Sequence, residues 1–281
     1  MDGILLVNKR IGWTSRDVVN KIMRIFRTKK VGHTGTLDPF ASGLLIITIN
    51  KGTKISSYLE GLDKSYIAEV CLGKSTDTLD LTGNVIEEKE VNLPIDKAAL
   101  NNALLSFIGD IKQVPPMYSA IKIDGEELYK KARRGEVVER KERDVHISSI
   151  DILSIVDNTF TMKVDCSKGT YIRSLGTDIA NKLGYGGHLT KLTRTRVGKY
   201  LLENAKDVEE LNEEDIISIN DALSYMDTRI VYGEWEKRAR NGVPLYLGES
   251  KLVYVKNEKN EPLAIYELRE DGKHYSLRGI F

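Results

Sequence analysis

The stretch from Gly32 to Ile49 constrains this chain most. Its second half, Gly43-Leu44-Leu45-Ile46-Ile47-Thr48-Ile49, is an almost unbroken apolar run of strand length and predicts a buried strand. Its first half runs Gly32-His33-Thr34-Gly35-Thr36-Leu37-Asp38-Pro39-Phe40-Ala41-Ser42 and holds one acidic residue, Asp38, among small, hydroxyl and apolar neighbours. An ordinary surface loop carries several charges. A lone carboxylate between a glycine turn and a buried strand is mounted on a rigid sheet, a common setting for catalysis. The residues alone also allow an N-cap or turn aspartate before a proline.

With 281 residues, the chain has room for one large domain, or one large and one small. No apolar run reaches the roughly 18 residues of a membrane span. The start, Met1-Asp2-Gly3-Ile4, lacks the basic and apolar pattern of a secretory leader, so a cytoplasmic location is expected. Cys71 and Cys166 are too few and too far apart for a zinc cluster or a disulfide framework. His33, His146, His188 and His274 show no metal-ligand spacing. Phosphate-loop, dinucleotide and Gly-x-Ser-x-Gly motifs are missing. Neither metal nor cofactor is expected.

The net charge of +1 conceals an uneven distribution. Residues 1–60 hold ten Lys/Arg against four Asp/Glu, with Lys21, Arg24, Arg27, Lys29 and Lys30 just before the glycine loop. A second cluster comprises Lys130, Lys131, Arg133, Arg134, Arg140, Lys141 and Arg143, and a third Lys191, Arg194, Arg196 and Lys199. Three such clusters predict a polyanion footprint. Each could also be a solvated face. From Glu203 to Asp227, nine carboxylates against one Lys mark a boundary.

Local patterns supply the elements. Ile4–Val7 reads as a strand; Thr14 and Asp17 stand at capping-box spacing before a helix reaching about Arg27, with Val18, Val19, Ile22, Met23 and Phe26 on one face. Tyr66–Leu72 and Thr159–Cys166 alternate as strands, and Thr76–Asn84 reads as a polar loop. Asp96–Ile108, about Glu126–Arg134, and a segment carrying Leu175, Ile179 and Leu183 read as helices, and Leu189–Tyr200 as a strand. After the acidic segment, a helix at Glu234–Asn241 precedes strands at Lys251–Val255, Leu263–Leu268 and Tyr275–Ile280. With no regular βαβ rhythm, the fold class is α+β with a mixed, largely antiparallel sheet and a small β-rich tail.

Lys168-Gly169-Thr170-Tyr171-Ile172-Arg173 follows a strand and sets Tyr171 beside Arg173 on one side of an extended segment. An aromatic next to a guanidinium suits a base, a phosphate or a carboxylate, and equally a strand end anchoring the next helix. With the blocks Asn8-Lys9, Gly12-Trp13-Thr14-Ser15, Gly32 to Pro39, Tyr66, Gln113-x-Pro115-Pro116-x-Tyr118-Ser119-Ala120-x-Lys122, Leu128-Tyr129 and Gly187-His188-Leu189, the chain resembles the TruB-type tRNA pseudouridine synthases, relatives of the catalytic subunit of box H/ACA particles.

The resemblance implies a pseudouridine synthase catalytic domain over 1–228, with an RNA-clamping insertion at about 113–143, and a small PUA-like domain over 229–281. It implies isomerisation of uridine 55 in the tRNA T loop, by base flipping and an aspartate nucleophile. Asp38 would be that nucleophile, and Arg173 would pair with it and lower its pKa. Tyr66 would stack on the uracil, Tyr171 and Leu192 would line the pocket, and His33 would enter the RNA loop in place of the displaced nucleotide. Lys130, Lys131, Arg133 and Arg134 would contact the RNA. The implied partner is the T arm of tRNA, without metal, cofactor or membrane, and the chain is expected to act as a monomer. The competing expectation is a tRNA-binding chaperone that refolds the elbow. A guide-RNA-dependent enzyme fits less well, because the 113–143 insertion is that of the stand-alone type.

Overall fold

The computed structural model describes residues 1–119, 121–123 and 125–281; Ala120, part of the proline-containing block, lies outside the described residues. Strand β1 (Gly3–Lys9), helix α1 (Ser15–Ile25), the short β2 (Val31–His33) and β3 (Ser42–Ile49) open the chain. Helix α2 (Ser56–Glu60) leads to β4 (Lys64–Leu72) and a ribbon of β5 (Lys74–Thr76) and β6 (Val85–Glu88). Next come α3 (Lys97–Leu105), β7 (Gly109–Gln113), β8 (Lys122–Ile123), β9 (Glu126–Glu127), α4 (Leu128–Arg133), β10 (Arg143–Val156) and β11 (Thr159–Cys166). The larger part ends with α5 (Ile172–Lys182), β12 (Gly187–Val197), β13 (Tyr200–Leu201), β14 (Ile217–Ser218) and α6 (Ile219–Ala222). The tail contains β15 (Asp227–Val231), α7 (Gly233–Arg240), β16 (Leu252–Asn257), β17 (Pro262–Leu268) and β18 (His274–Gly279).

The large sheet runs β14-β1-β3-β12-β4-β11-β10-β7, with β2 added to β3 and β13 to β12. Every pairing is antiparallel except a short parallel contact of β12 with β3, at Thr193–Ser42 and Arg194–Gly43. The tail forms its own sheet, β15-β16-β17-β18. The mixed, largely antiparallel α+β reading and the small β-rich tail are thus both observed.

Burial on both faces explains the apolar run. Alternate residues of a strand point to opposite faces. Leu45 and Ile47 join Leu5 and Val7 in a core closed by Val18, Val19 and Ile22 of α1 and by Leu175 and Ile179 of α5. Leu44 and Ile46 join Ile4 and Leu6 on the other face, covered by α6 and by Tyr254, Ile265 and Ile280 from the tail. The central strands are therefore rigid, and a loop mounted on them inherits that rigidity. Helix α1 starts as expected: Thr14 and Asp17 complete the capping box.

Two features go beyond the sequence reading. Strand β10 was not foreseen, because register shifts at Ile147/Ser149 and Ile152/Ser154 break its alternation and much of it is exposed. The acidic segment, read as a boundary, is itself tied to the larger part. Val208 and Leu211 enter the main core, β14 pairs with β1, and Lys206 meets Asp215 at 2.6 Å.

Candidate active site

The loop between β2 and β3 is held at several points. Ser15, first residue of α1, accepts from the Leu37 N–H at 2.9 Å and donates to the Leu37 carbonyl at 3.2 Å. Lys9, at the end of β1 and almost fully buried, donates to the carbonyls of Ala41 (2.5 Å), Trp13 (2.7 Å) and Arg10 (3.1 Å). Burial pulls its pKa down to about 8, while the three acceptors match the three donors of an ammonium. Gly43 closes the loop at φ 105°, where a Cβ would stand 2.4 Å from the Arg194 carbonyl oxygen. No side chain fits there. Asp38 sits between these anchors with a third of its side chain (33%) still open.

Arg173, in the first turn of α5, reaches it from across the sheet. Its side chain is only 5% exposed, and Nε lies 2.9 Å from Asp38 Oδ2. The other nitrogens are also committed: Nη1 donates to the Thr78 carbonyl at 2.9 Å and lies 3.5 Å from Asp80 Oδ2, and Nη2 donates to the Tyr118 carbonyl at 2.7 Å. Asp80 is buried and accepts from Thr78 Oγ1, Thr82 Oγ1 and the Thr82 N–H. Helix α5 is placed by Gln113, whose amide accepts from the Tyr171 N–H (2.7 Å) and donates to its carbonyl (3.0 Å). A guanidinium with every direction spoken for has one orientation, so Asp38 does as well.

The expected lowering of the Asp38 pKa meets the opposite result. Burial raises it above the ordinary carboxylate range; Arg173 opposes this, Asp80 adds to it, and Lys9 opposes it. Removing water from the carboxylate outweighs the nearby cation.

Asp38, Tyr66, Tyr171, Arg173 and Leu192 line one cavity of about 720 Å³, within the range of small-ligand sites, and Lys122, Arg143 and Lys168 stand on its walls. Tyr66 comes from β4 and is paired across the sheet with Arg194 of β12. Burial raises its phenol pKa, opposed by Arg194, so the hydroxyl keeps its proton at neutral pH. Leu192 lies on β12, buried at the wall. His33 ends β2 and is not on the cavity wall; its Nδ1 is buried without a hydrogen-bond partner, and burial with Arg194 lowers its pKa, leaving the ring neutral.

Sequence reasoning missed Asp80, Arg194, Lys9 and Gln113 as parts of this site. Arg194 was grouped with surface cations, yet it is 1% exposed and donates to the carbonyls of Leu44 (2.7 Å) and Gly35 (3.2 Å), bracing the loop from below. Its neighbours do not form a free patch either: Lys191 meets Glu69 at 2.9 Å and Arg196 meets Asp165 at 2.7 Å. In the second cluster Lys130 pairs with Glu127 (2.8 Å), Arg134 with Glu126 (2.6 Å) and Glu136 (2.7 Å), and Arg133 lies 5.5 Å from the Tyr129 ring centre. Lys131 belongs to the same short helix, α4. Among the described residues, no cluster of His, Cys, Asp or Glu could hold a metal ion, and no helix is long and apolar enough to cross a membrane.

Comparison with known proteins places this geometry. The sequence model of the TruB family pseudouridylate synthase N-terminal domain matches residues 23–172, and that of the tRNA pseudouridylate synthase B C-terminal domain matches 173–231. Proteins named tRNA pseudouridine synthase B are 40% identical in Shouchella clausii (94% of this chain, 93% of the relative) and 43% identical in Clostridium acetobutylicum (97% of each). Among solved structures, an H/ACA RNP bound to a substrate RNA containing 2′-deoxyuridine matches 99% of this chain and 85% of the other, with TM-score 0.74 and 21% identity. The archaeal box H/ACA sRNP Nop10–Cbf5 complex also gives TM-score 0.74, at 22% identity over 99% and 86%. At those identities the likeness is one of fold. The sequence matches go further, and they span the very loop, strand and helix that bring Asp38 to Arg173: this chain belongs to the TruB family of pseudouridylate synthases.

Proposed function

We propose that this chain converts uridine 55 in the T loop of tRNA to pseudouridine, with Asp38 as the nucleophile. The observation that carries the reading is the 2.9 Å Asp38–Arg173 pair, fixed at the floor of a cavity walled by Tyr66, Tyr171 and Leu192. The reaction is an isomerisation. The N1–C1′ bond breaks, the uracil turns, C5 bonds to C1′, the C5 proton leaves and N1 gains one. Nothing is oxidised or reduced, so the protein must extrude the nucleotide, hold the freed base and supply one carboxylate.

Arg173 orients that carboxylate and stabilises its charge. Tyr66 stacks on the uracil as a neutral phenol, and Tyr171 and Leu192 confine the base while it turns. His33, neutral and outside the cavity, is positioned for the space left in the RNA loop. In this reading 1–228 is the catalytic domain and 229–281 a PUA-like module. The 113–143 segment closes over the T arm, and Lys130, Lys131, Arg133 and Arg134 reach phosphates by exchanging carboxylate partners such as Glu126 and Glu127 for RNA. The protein works alone, as a monomer in the cytoplasm.

Unmodified tRNA transcript carrying tritium at C5 of uridine tests this. The intact chain should release label from one site to water without a guide RNA. Asp38→Asn should lower the rate by at least about 10⁴-fold while tRNA affinity stays within a few-fold. A binding and refolding protein has no use for the carboxylate, so an Asp38→Asn variant with unchanged label release would end the proposal.

A further inference from the structure

We propose that the exposed face of α1 and the turn after it bind the phosphate backbone of the RNA stem whose loop enters the cavity. This deepens the reading above and rests on it. Arg16, Asn20 and Arg24 recur at i, i+4 spacing along α1, Arg27 follows in the turn that ends it, and all four are exposed. Lys29 and Lys30 follow at once. Arg16, Arg24, Arg27, Lys29 and Lys30 make no side-chain hydrogen bond or ion pair with any described residue. The contrast with α4 is direct, since Lys130 and Arg134 already hold carboxylates. Unneutralised cations at fixed spacing are what a phosphate chain recognises.

The surface is shaped and held. Asn20, Met23, Arg24, Arg27, Thr28 and Lys29 enclose a shallow concavity of about 420 Å³. Its turn is fixed by Thr28 Oγ1 donating to Asn50 Oδ1 (2.6 Å) and by the Asn50 N–H donating to the Lys30 carbonyl (2.7 Å). The left-handed backbone at Arg27 (φ 49°) ends the helix there, and Arg27 shares the wall of the concavity with Arg24.

The stripe also leads to the right place. Arg16 acts electrostatically on His33, and the residue before it, Ser15, holds Leu37 of the Asp38 loop. From Arg16 to Arg24 the helix advances about 12 Å, at about 1.5 Å per residue. A duplex with its loop in the cavity thus meets cations from the rim outward.

The test reads binding directly, by fluorescence anisotropy with an unmodified hairpin transcript of the T stem and loop over a series of KCl concentrations. Arg24→Gln/Arg27→Gln should weaken binding roughly tenfold near 0.1 M salt and reduce the log–log salt slope by about 2, one for each phosphate that no longer meets a cation. A hairpin of unrelated stem sequence should lose affinity by the same factor. The residues are exposed, and an unchanged melting temperature will show that the fold is intact. Unchanged affinity and slope would overturn the inference. So would a loss confined to one stem sequence, since that is base reading. A chain that binds the hairpin through these residues but forms no pseudouridine would refute the activity instead and leave this surface standing.

Discussion

Arg173 and Arg134 each answer two carboxylates, and they do so to opposite effect. Arg173 is buried between Asp38 and Asp80 with its other donors on the Thr78 and Tyr118 carbonyls. Arg134 is half-exposed between Glu126 and Glu136 beyond α4. Distances alone would rank Arg134 as the better paired. Solvent reverses that ranking: water and salt compete for every contact at the surface, whereas a buried charge has only the partners the fold supplies. The cavity floor is therefore an obligatory arrangement and the α4 region an exchangeable one, as the proposed exchange of carboxylates for RNA phosphates requires.

The largest effect that would sharpen this contrast comes from Arg173→Lys. An ammonium cannot reproduce three directions of a fork, so single-turnover isomerisation should fall about 10²- to 10³-fold at saturating tRNA. A loss under tenfold would break the claim that the orientation of Asp38 depends on Arg173. Arg173→Met strands the buried Asp80 and the partly open Asp38, and should destabilise the chain by about 3 kcal/mol in urea unfolding.

The next effect is one of pH. In the proposed reaction Asp38 acts as the carboxylate, whose pKa is raised by burial, so activity should fall as pH drops through a value above the ordinary carboxylate range. Asp80 contributes to that rise. Asp80→Asn should thus shift the acid limb of the rate profile to lower pH, with a loss of about tenfold at neutral pH from the loosened Arg173. A limb that stays in place would mean that Asp38 does not feel Asp80. The smallest effect is expected of Arg134→Gln: an unmoved melting temperature and a salt slope of tRNA binding lower by about 1. An unchanged slope would leave Arg134 facing solvent.

What could be read from the residues divides along the same line. Features that act within one element were legible: the Thr14–Asp17 cap, the alternation of Phe160, Met162, Val164 and Cys166, and the apolar run of β3. Asp38 stood out because its neighbours are uncharged. Asp80 did not, since Asp77 lies in the same hydroxyl-rich loop and only folding decides which is buried; Asp77 instead holds the Asn84 N–H. Arg194 reads as one more cation after exposed Lys191, but it shares the buried face of Leu192, where its guanidinium meets the Leu44 and Gly35 carbonyls. Burial of a charge is a property of the assembled sheet, and no local pattern announces it.

The brief parallel seam where Gly43 meets Arg194 joins parts of the chain some 150 positions apart. During synthesis the aspartate leaves the ribosome long before its arginine, and the strand that braces its loop comes later still. A chain that stops short of β12 therefore lacks the Arg194 contacts that brace the Asp38 loop, however well its first strands have formed. The loop is complete only once that late strand docks, and substituting even alanine for Gly43 should weaken the docking by wedging the seam apart.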